Sequence, residues 1–199
     1  MRNLFYGALA MLVLGGCSSE LSGRDPNAII RGVHYVGLSV SDVNRAGDFY
    51  ENTVDLETVA DQVITDSPVI DSLAGRSGVT AQTRLLKSAN AQLRVMAFDN
   101  PSEQAQQSAP VDVYGPGIAH VCYQVNQTTE AYQKFLKAGG KAIGDPEMMQ
   151  INPRNPVYYA YAHDLDNAIV EIEHVDVAQL NLPSPPKYDY RVRQVALST

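Results

Sequence analysis

Val36-Gly37-Leu38-Ser39-Val40 is followed ten residues later by Tyr50, and Val121-Cys122-Tyr123-Gln124-Val125 is followed ten residues later by Phe135. The offset is 85 residues throughout, so the chain repeats a unit. Each copy opens with alternating apolar positions, the period of a strand with one buried face. A polar turn then leads into apolar residues at helical spacing: Ala46, Phe49 and Tyr50 in the first copy, Ala131, Tyr132, Phe135 and Leu136 in the second. Ser41 or Asp42 caps the first helix, and Lys137-Ala138-Gly139-Gly140 stops the second. Further strands are predicted at Thr83–Lys87 and Gln92–Phe98, then at Val157–Ala162 and Ala168–His174. The expected class is α+β, built from two units at about residues 30–101 and 116–176. Between Asp61 and Ala81 a Ser-, Asp- and Gly-rich stretch reads as a long loop, either a lid carrying Val69, Ile70 and Leu73 over a cleft or a plain surface loop.

Upstream of the repeat, Met1-Arg2-Asn3 and the apolar run Leu4–Gly16 have the charged start and short core of an export signal. The run is too short to span a bilayer comfortably. It ends in Leu14-Gly15-Gly16-Cys17, which resembles the lipobox cut by lipoprotein signal peptidase. That resemblance implies a signal peptide at residues 1–16, a lipidated Cys17 and a tether over residues 17–29, where the Ser, Gly and Asp content favours a flexible coil. Two or more acyl chains make membrane attachment stable. Ser18 after Cys17 resembles an outer-membrane sorting signal, so the expected location is the bacterial envelope, on the outer membrane facing the periplasm.

With 199 residues and 45% hydrophobic content, the mature chain has room for one medium domain. Its net charge of -7 and the lack of any Lys/Arg block speak against nucleic-acid binding. Beyond Cys17 only Cys122 remains, which excludes an intramolecular disulfide in the mature domain. The tail at residues 177–199 carries Pro183, Pro185 and Pro186 and reads as extended.

Phe49-Tyr50 on the first helix, His120 opening the second unit and Asp164-Leu165-Asp166-Asn167 leading into Val170-Glu171-Ile172 resemble the vicinal oxygen chelate superfamily, which includes glyoxalase, bleomycin-resistance and extradiol dioxygenase-like proteins. The resemblance covers roughly residues 30–176. It implies two βαβββ units curled into an open barrel-like cleft, a small-molecule ligand there and, by analogy, a homodimer. It further implies a divalent metal (Fe, Mn, Ni or Zn) on the first and last strands of each unit, and lyase, isomerase or dioxygenase chemistry. The family's Asp-Pro-Asp-Gly turn stands here as Asp164-Leu165-Asp166-Asn167, and Asn tolerates the left-handed backbone that Gly would supply.

Side chains alternate across a strand, so cleft residues share a parity opposite to the residues packed on the helices. Val121, Tyr123 and Val125 take the helix side, leaving His120, Cys122 and Gln124 in the cleft; on the last strand Glu171 and Glu173 share that side. His120 and Glu171 match the family's ligand positions. In the first unit the same parity sends Tyr35 inward and His34 outward, unless a bulge near Gly32 rotates His34. Counting back from Pro101 puts Arg94 at the remaining ligand position, with Gln92 the alternative if the strand shifts by two. A guanidinium cannot ligate a metal.

Two site readings follow. In the favoured one, Arg94 pairs with Glu171 across a metal-free cleft whose other ligand-facing residues are Tyr35, Cys122 and Glu173, and Arg94 also holds a substrate carboxylate by a bidentate contact. In the other, His34 or Gln92 joins His120 and Glu171 on a divalent metal. No catalytic residue is assigned by the pattern. Tyr159 and Tyr161 share a face on the penultimate strand, as sheet packing or as a stacking platform. The terminal Val192–Thr199 resembles the opening strand of another unit with Gln194 at the ligand position; it adds to a sheet edge of its own chain or a partner's, or begins a further domain.

Overall fold

The computed structural model describes residues 34–100, 117–125, 129–181 and 191–198. The first unit runs β1 (Val36–Ser39), α1 (Val43–Val54), β2 (Glu57–Ile64), α2 (Pro68–Ala74), β3 (Ala81–Lys87) and β4 (Gln92–Phe98). Its sheet has the order β1-β4-β3-β2, with β1 parallel to β4 and the other pairs antiparallel. The second runs β5 (Gly117–Gln124), α3 (Thr129–Lys137), β6 (Lys141–Ile143), β7 (Met149–Asn152), β8 (Asn155–His163) and β9 (Ile169–Val175). Here β5 is parallel to β9, β9 pairs with β8, and β6 and β7 both pair with β8. The fold is mixed α+β with two open sheets, as expected. The repeat extends to the pairing register. Gly37 stands opposite Arg94 and Cys122 opposite Glu171, so the residues facing Arg94 and Glu171 are themselves 85 positions apart.

Helix α1 starts where Asp42 accepts the amide of Arg45 at 2.9 Å and ends at Asp55 in the left-handed region. Helix α3 ends where Gly139, at φ 114, turns the chain and the Gly140 amide bonds the carbonyl of Phe135. A side chain on Gly139 would also press on the end of the Leu165 side chain, though it is the positive φ that calls for glycine there. The apolar faces of the two helices meet edge to face at Phe49 and Phe135, whose rings are 4.7 Å apart, and Tyr50 of α1 packs at a tilt against Tyr123 of β5 at 5.9 Å. Burying each such ring stabilises the fold by about 1.5–3 kcal/mol.

The turn after β8 locks the second unit to α1. Tyr50 donates to Asp164 at 2.7 Å, and Asp164 also accepts the amides of Asp166 and Ala168. Asn167 adopts φ 65, the left-handed conformation expected of it. Asp166 reaches back to the amide and hydroxyl of Ser41 and to Arg45.

The stretch from Asp61 to Ala81 is not the loop the sequence suggests. Glu57–Ile64 forms the outer strand β2, exposed at nearly every position, so it shows no apolar period. Ser67 then caps α2, and Ile70 is buried with Val79 and Ala81 in a small separate core. Val69 and Leu73 point into solvent. The terminal strand takes one of the arrangements open to it in the sequence. Residues 191–198 form β10, which pairs antiparallel with β5 of its own chain and makes the edge of the second sheet. The signal, tether and lipidation site at Cys17 lie outside the described residues, as does the Pro-rich stretch 182–190. No helix among the described residues is long and apolar enough to cross a membrane.

Candidate metal and ligand site

Register places four side chains in one row. Tyr161 on β8 stands opposite Glu171 on β9, Glu171 opposite Cys122 on β5, and Cys122 opposite Gln194 on β10. His120 precedes Cys122 by two residues and therefore shares its face. On that face the Nε2 of His120 lies 2.9 Å from Oε2 of Glu171, with both side chains largely buried. The Tyr161 ring packs edge-on against the imidazole at 5.2 Å and fixes its plane. Burial, and then the Glu171 carboxylate, push the Tyr161 hydroxyl up, so it stays protonated. The amide Nε2 of Gln194 donates to the same Oε2 of Glu171 at 2.9 Å and lies 3.4 Å from Nε2 of His120.

Next to this triangle sits a second acidic group. The Cys122 thiol donates to Glu173 at 3.3 Å, and ligand atoms of Cys122, Glu171 and Glu173 all fall within 4.8 Å of one another. Burial, and then the two carboxylates, push the Cys122 thiol up; it is a protonated donor and not a thiolate. Arg193 balances Glu173 with an ion pair at 3.3 Å.

The first unit arranges its matched positions differently. The guanidinium of Arg94 lies over the Tyr35 ring at 4.4 Å, a cation–π contact. The expected Arg94–Glu171 pair is therefore replaced by two separate pairs: Arg94 with Tyr35, and Glu171 with His120. Each pair stays within its own repeated unit: Tyr35, just ahead of β1, meets Arg94 on the neighbouring β4, and His120 on β5 meets Glu171 on β9. His34 is exposed beside Tyr35, at 5.5 Å between rings. Gln92 is half-buried with an unbonded Oε1, and neither residue contacts His120 or Glu171 among the described residues.

The metal implied by the resemblance fits one unit only. Two ligands at right angles on an ion with bonds of ~2.1 Å stand about 3 Å apart, which matches the His120–Glu171 spacing. In the first unit a guanidinium on an aromatic ring offers no lone pair to a cation. Strand parity alone puts His120, Glu171, Cys122 and Glu173 on one face. Arg193 escapes parity because it reaches the site through a bulge, and Tyr161 carries no distinguishing mark because tyrosines at such spacing are ordinary sheet packing.

The structure thus sets out two repeated strand–helix–strand units, the second of which brings a histidine and a glutamate to within 2.9 Å on adjacent parallel strands. The chain belongs to the Glyoxalase/Bleomycin resistance protein/Dioxygenase superfamily, whose family model matches residues 32–170. It is 26% identical over 144 residues to an ethylmalonyl-CoA/methylmalonyl-CoA epimerase from Cereibacter sphaeroides, covering 72% of this chain and 97% of that protein. A crystal structure of a glyoxalase family protein from Bacillus cereus superposes with a TM-score of 0.63 at 13% identity, covering 76% of this chain and 98% of that one. A fosfomycin resistance protein variant from Listeria monocytogenes, complexed with Mn(II) and a dihydroxypropylphosphonic acid, gives a TM-score of 0.45 at 15% identity, covering 76% and 98%.

Proposed function

We propose that the chain is an envelope lipoprotein whose domain holds a divalent cation on His120 and Glu171 and acts there on a small polar metabolite with oxygen donors. The observation that carries this reading is the 2.9 Å approach of Nε2 to Oε2 on neighbouring strands, braced by the Tyr161 ring. Among the reactions of the superfamily, an isomerase is favoured by the likeness to an epimerase. A bound divalent cation would polarise a carbonyl and so acidify the adjacent C–H. The chain's own part is to orient the imidazole through Tyr161 and to keep Glu173 and the thiol of Cys122 as buried polar groups beside the ligands.

The test is metal analysis of the full chain purified without chelator or metal-affinity resin. Near-stoichiometric Mn, Fe, Ni or Zn is expected, lost in both His120→Ala and Glu171→Ala while the melting transition is kept. Metal retained in both variants, or none taken up on reconstitution, overturns it. A metal-free binding protein is the second reading, favoured by the buried Nε of Arg94, which has no hydrogen-bond partner among the described residues. The lipid anchor rests on Leu14-Gly15-Gly16-Cys17. Labelled palmitate is expected to enter the chain and to be absent from Cys17→Ala; equal labelling of the two would remove the anchor from the proposal.

A further inference from the structure

We infer that the C-terminal strand β10 completes the cation site, with Gln194 as the third ligand beside His120 and Glu171. The inference rests on the cation reading above and adds a ligand from outside the two repeated units. Three observations carry it.

The first is spacing. Nε2 of His120, Oε2 of Glu171 and the amide end of Gln194 form a triangle with edges of 2.9, 2.9 and 3.4 Å. Ligand atoms on one face of an octahedral or tetrahedral ion with bonds of ~2.1 Å stand about 3.0–3.4 Å apart.

The second is the convergence of two donors on one oxygen. With a proton on Nε2, His120 donates to Oε2 of Glu171, the same atom that accepts from the Gln194 amide, and the two nitrogens stand 3.4 Å apart with no hydrogen bond between them. All three side chains therefore aim at one point, and with the amide rotated end for end a cation would accept a lone pair from the imidazole, the carboxylate and the amide oxygen together.

The third is that the fold is built to hold Gln194 there. Val192 pairs with Tyr123 and Gln194 with Cys122, so Arg193 is an extra residue, a β-bulge. In a regular strand, consecutive residues point to opposite faces. The bulge lets both Arg193 and Gln194 reach the acidic face, Arg193 on Glu173 and Gln194 on Glu171. Arg193 thereby neutralises the neighbouring carboxylate, leaving Glu171 as the anionic ligand. Asn90, in the turn between β3 and β4, grips β10 from the first unit. Its amide donates to the Val192 carbonyl at 2.8 Å and accepts the Val192 amide at 3.0 Å. Asn90 is thus a positioning residue, and the first unit, which lacks a ligand at Arg94, contributes by holding the strand that supplies one.

The test is a Mn(II) titration of the full chain, with free ion read by electron paramagnetic resonance, and the visible spectrum of the Co(II) form. Gln194→Ala is expected to weaken Mn(II) binding at least about tenfold, and Asn90→Ala on the order of tenfold, while Gln194→Glu binds as tightly as wild type or tighter. Wild-type affinity in Gln194→Ala, with binding abolished in His120→Ala and Glu171→Ala, would sink the role of β10 and leave the half-site reading standing. Tighter binding in Gln194→Ala would overturn the inference by making β10 a shield. Failure of the wild type to bind removes both readings. If Gln194→Ala does not fold, Gln194→Glu decides: a changed Co(II) absorption is expected, and an unchanged one refutes direct ligation.

Discussion

Asp164→Ala is expected to lower unfolding stability by about 3–4 kcal/mol, read from denaturant midpoints at constant slope. The carboxylate is 3% exposed and accepts the Tyr50 hydroxyl and the amides of Asp166 and Ala168. Hydrogen bonds to a charged group are worth ~1.5–3 kcal/mol each, and removing the acceptor leaves the 2% exposed Tyr50 without its partner. Relief of the buried charge offsets part of the loss. Burial holds the Asp164 pKa above its ordinary value, although the Tyr50 and amide bonds pull the other way. An acid raised in the native state binds its proton there first. Its contribution therefore grows as the pH falls through the raised folded value toward the ordinary ~3.9, and is lost as the pH rises again. Against Asp164→Asn, which cannot titrate, the wild type should gain relative stability on acidification across that window. A stability difference that is flat with pH would contradict this assignment, and a loss under 1 kcal/mol in Asp164→Ala would show that the turn holds without its carboxylate.

Phe135→Ala is expected to cost about 3–5 kcal/mol, the range for emptying an aromatic site in a packed core. The ring is fully buried, meets Phe49 of the other unit at 4.7 Å and fills the space a side chain on Gly140 would need. Because one face is lined by α1 and the other by the end of α3, collapse around the void requires both helices to shift. Phe135→Leu keeps most of the volume and should cost under ~1.5 kcal/mol. Similar losses for Ala and Leu would mean that ring geometry, and not volume, dominates.

The architecture was legible because the 85-residue repeat carries both the apolar parity and the helix faces. Residues whose role follows from parity, His120, Cys122, Glu171 and Glu173, land together on one face. Strand β2 was missed because an outer strand exposed on both faces has no apolar period to read. The Arg94–Glu171 pair was misjudged for another reason. Sequence supplies the face a side chain occupies, but not whether a guanidinium crosses to the other sheet or settles on the nearer ring of Tyr35. Gln194 was visible as a ligand-like position on a strand-like segment. Its partner strand was not, since pairing Gln194 with Cys122, far apart in the chain, leaves no local mark.

The separation into two like pairs, Tyr35 with Arg94 and His120 with Glu171, has a bearing on how such a chain changes over generations. Each pair is wired within its own repeated unit, so a substitution at Tyr35 or Arg94 leaves the His120–Glu171 contact in place. On the proposed cation reading, the ligand position surrendered at Arg94 is supplied by a strand that belongs to neither repeat.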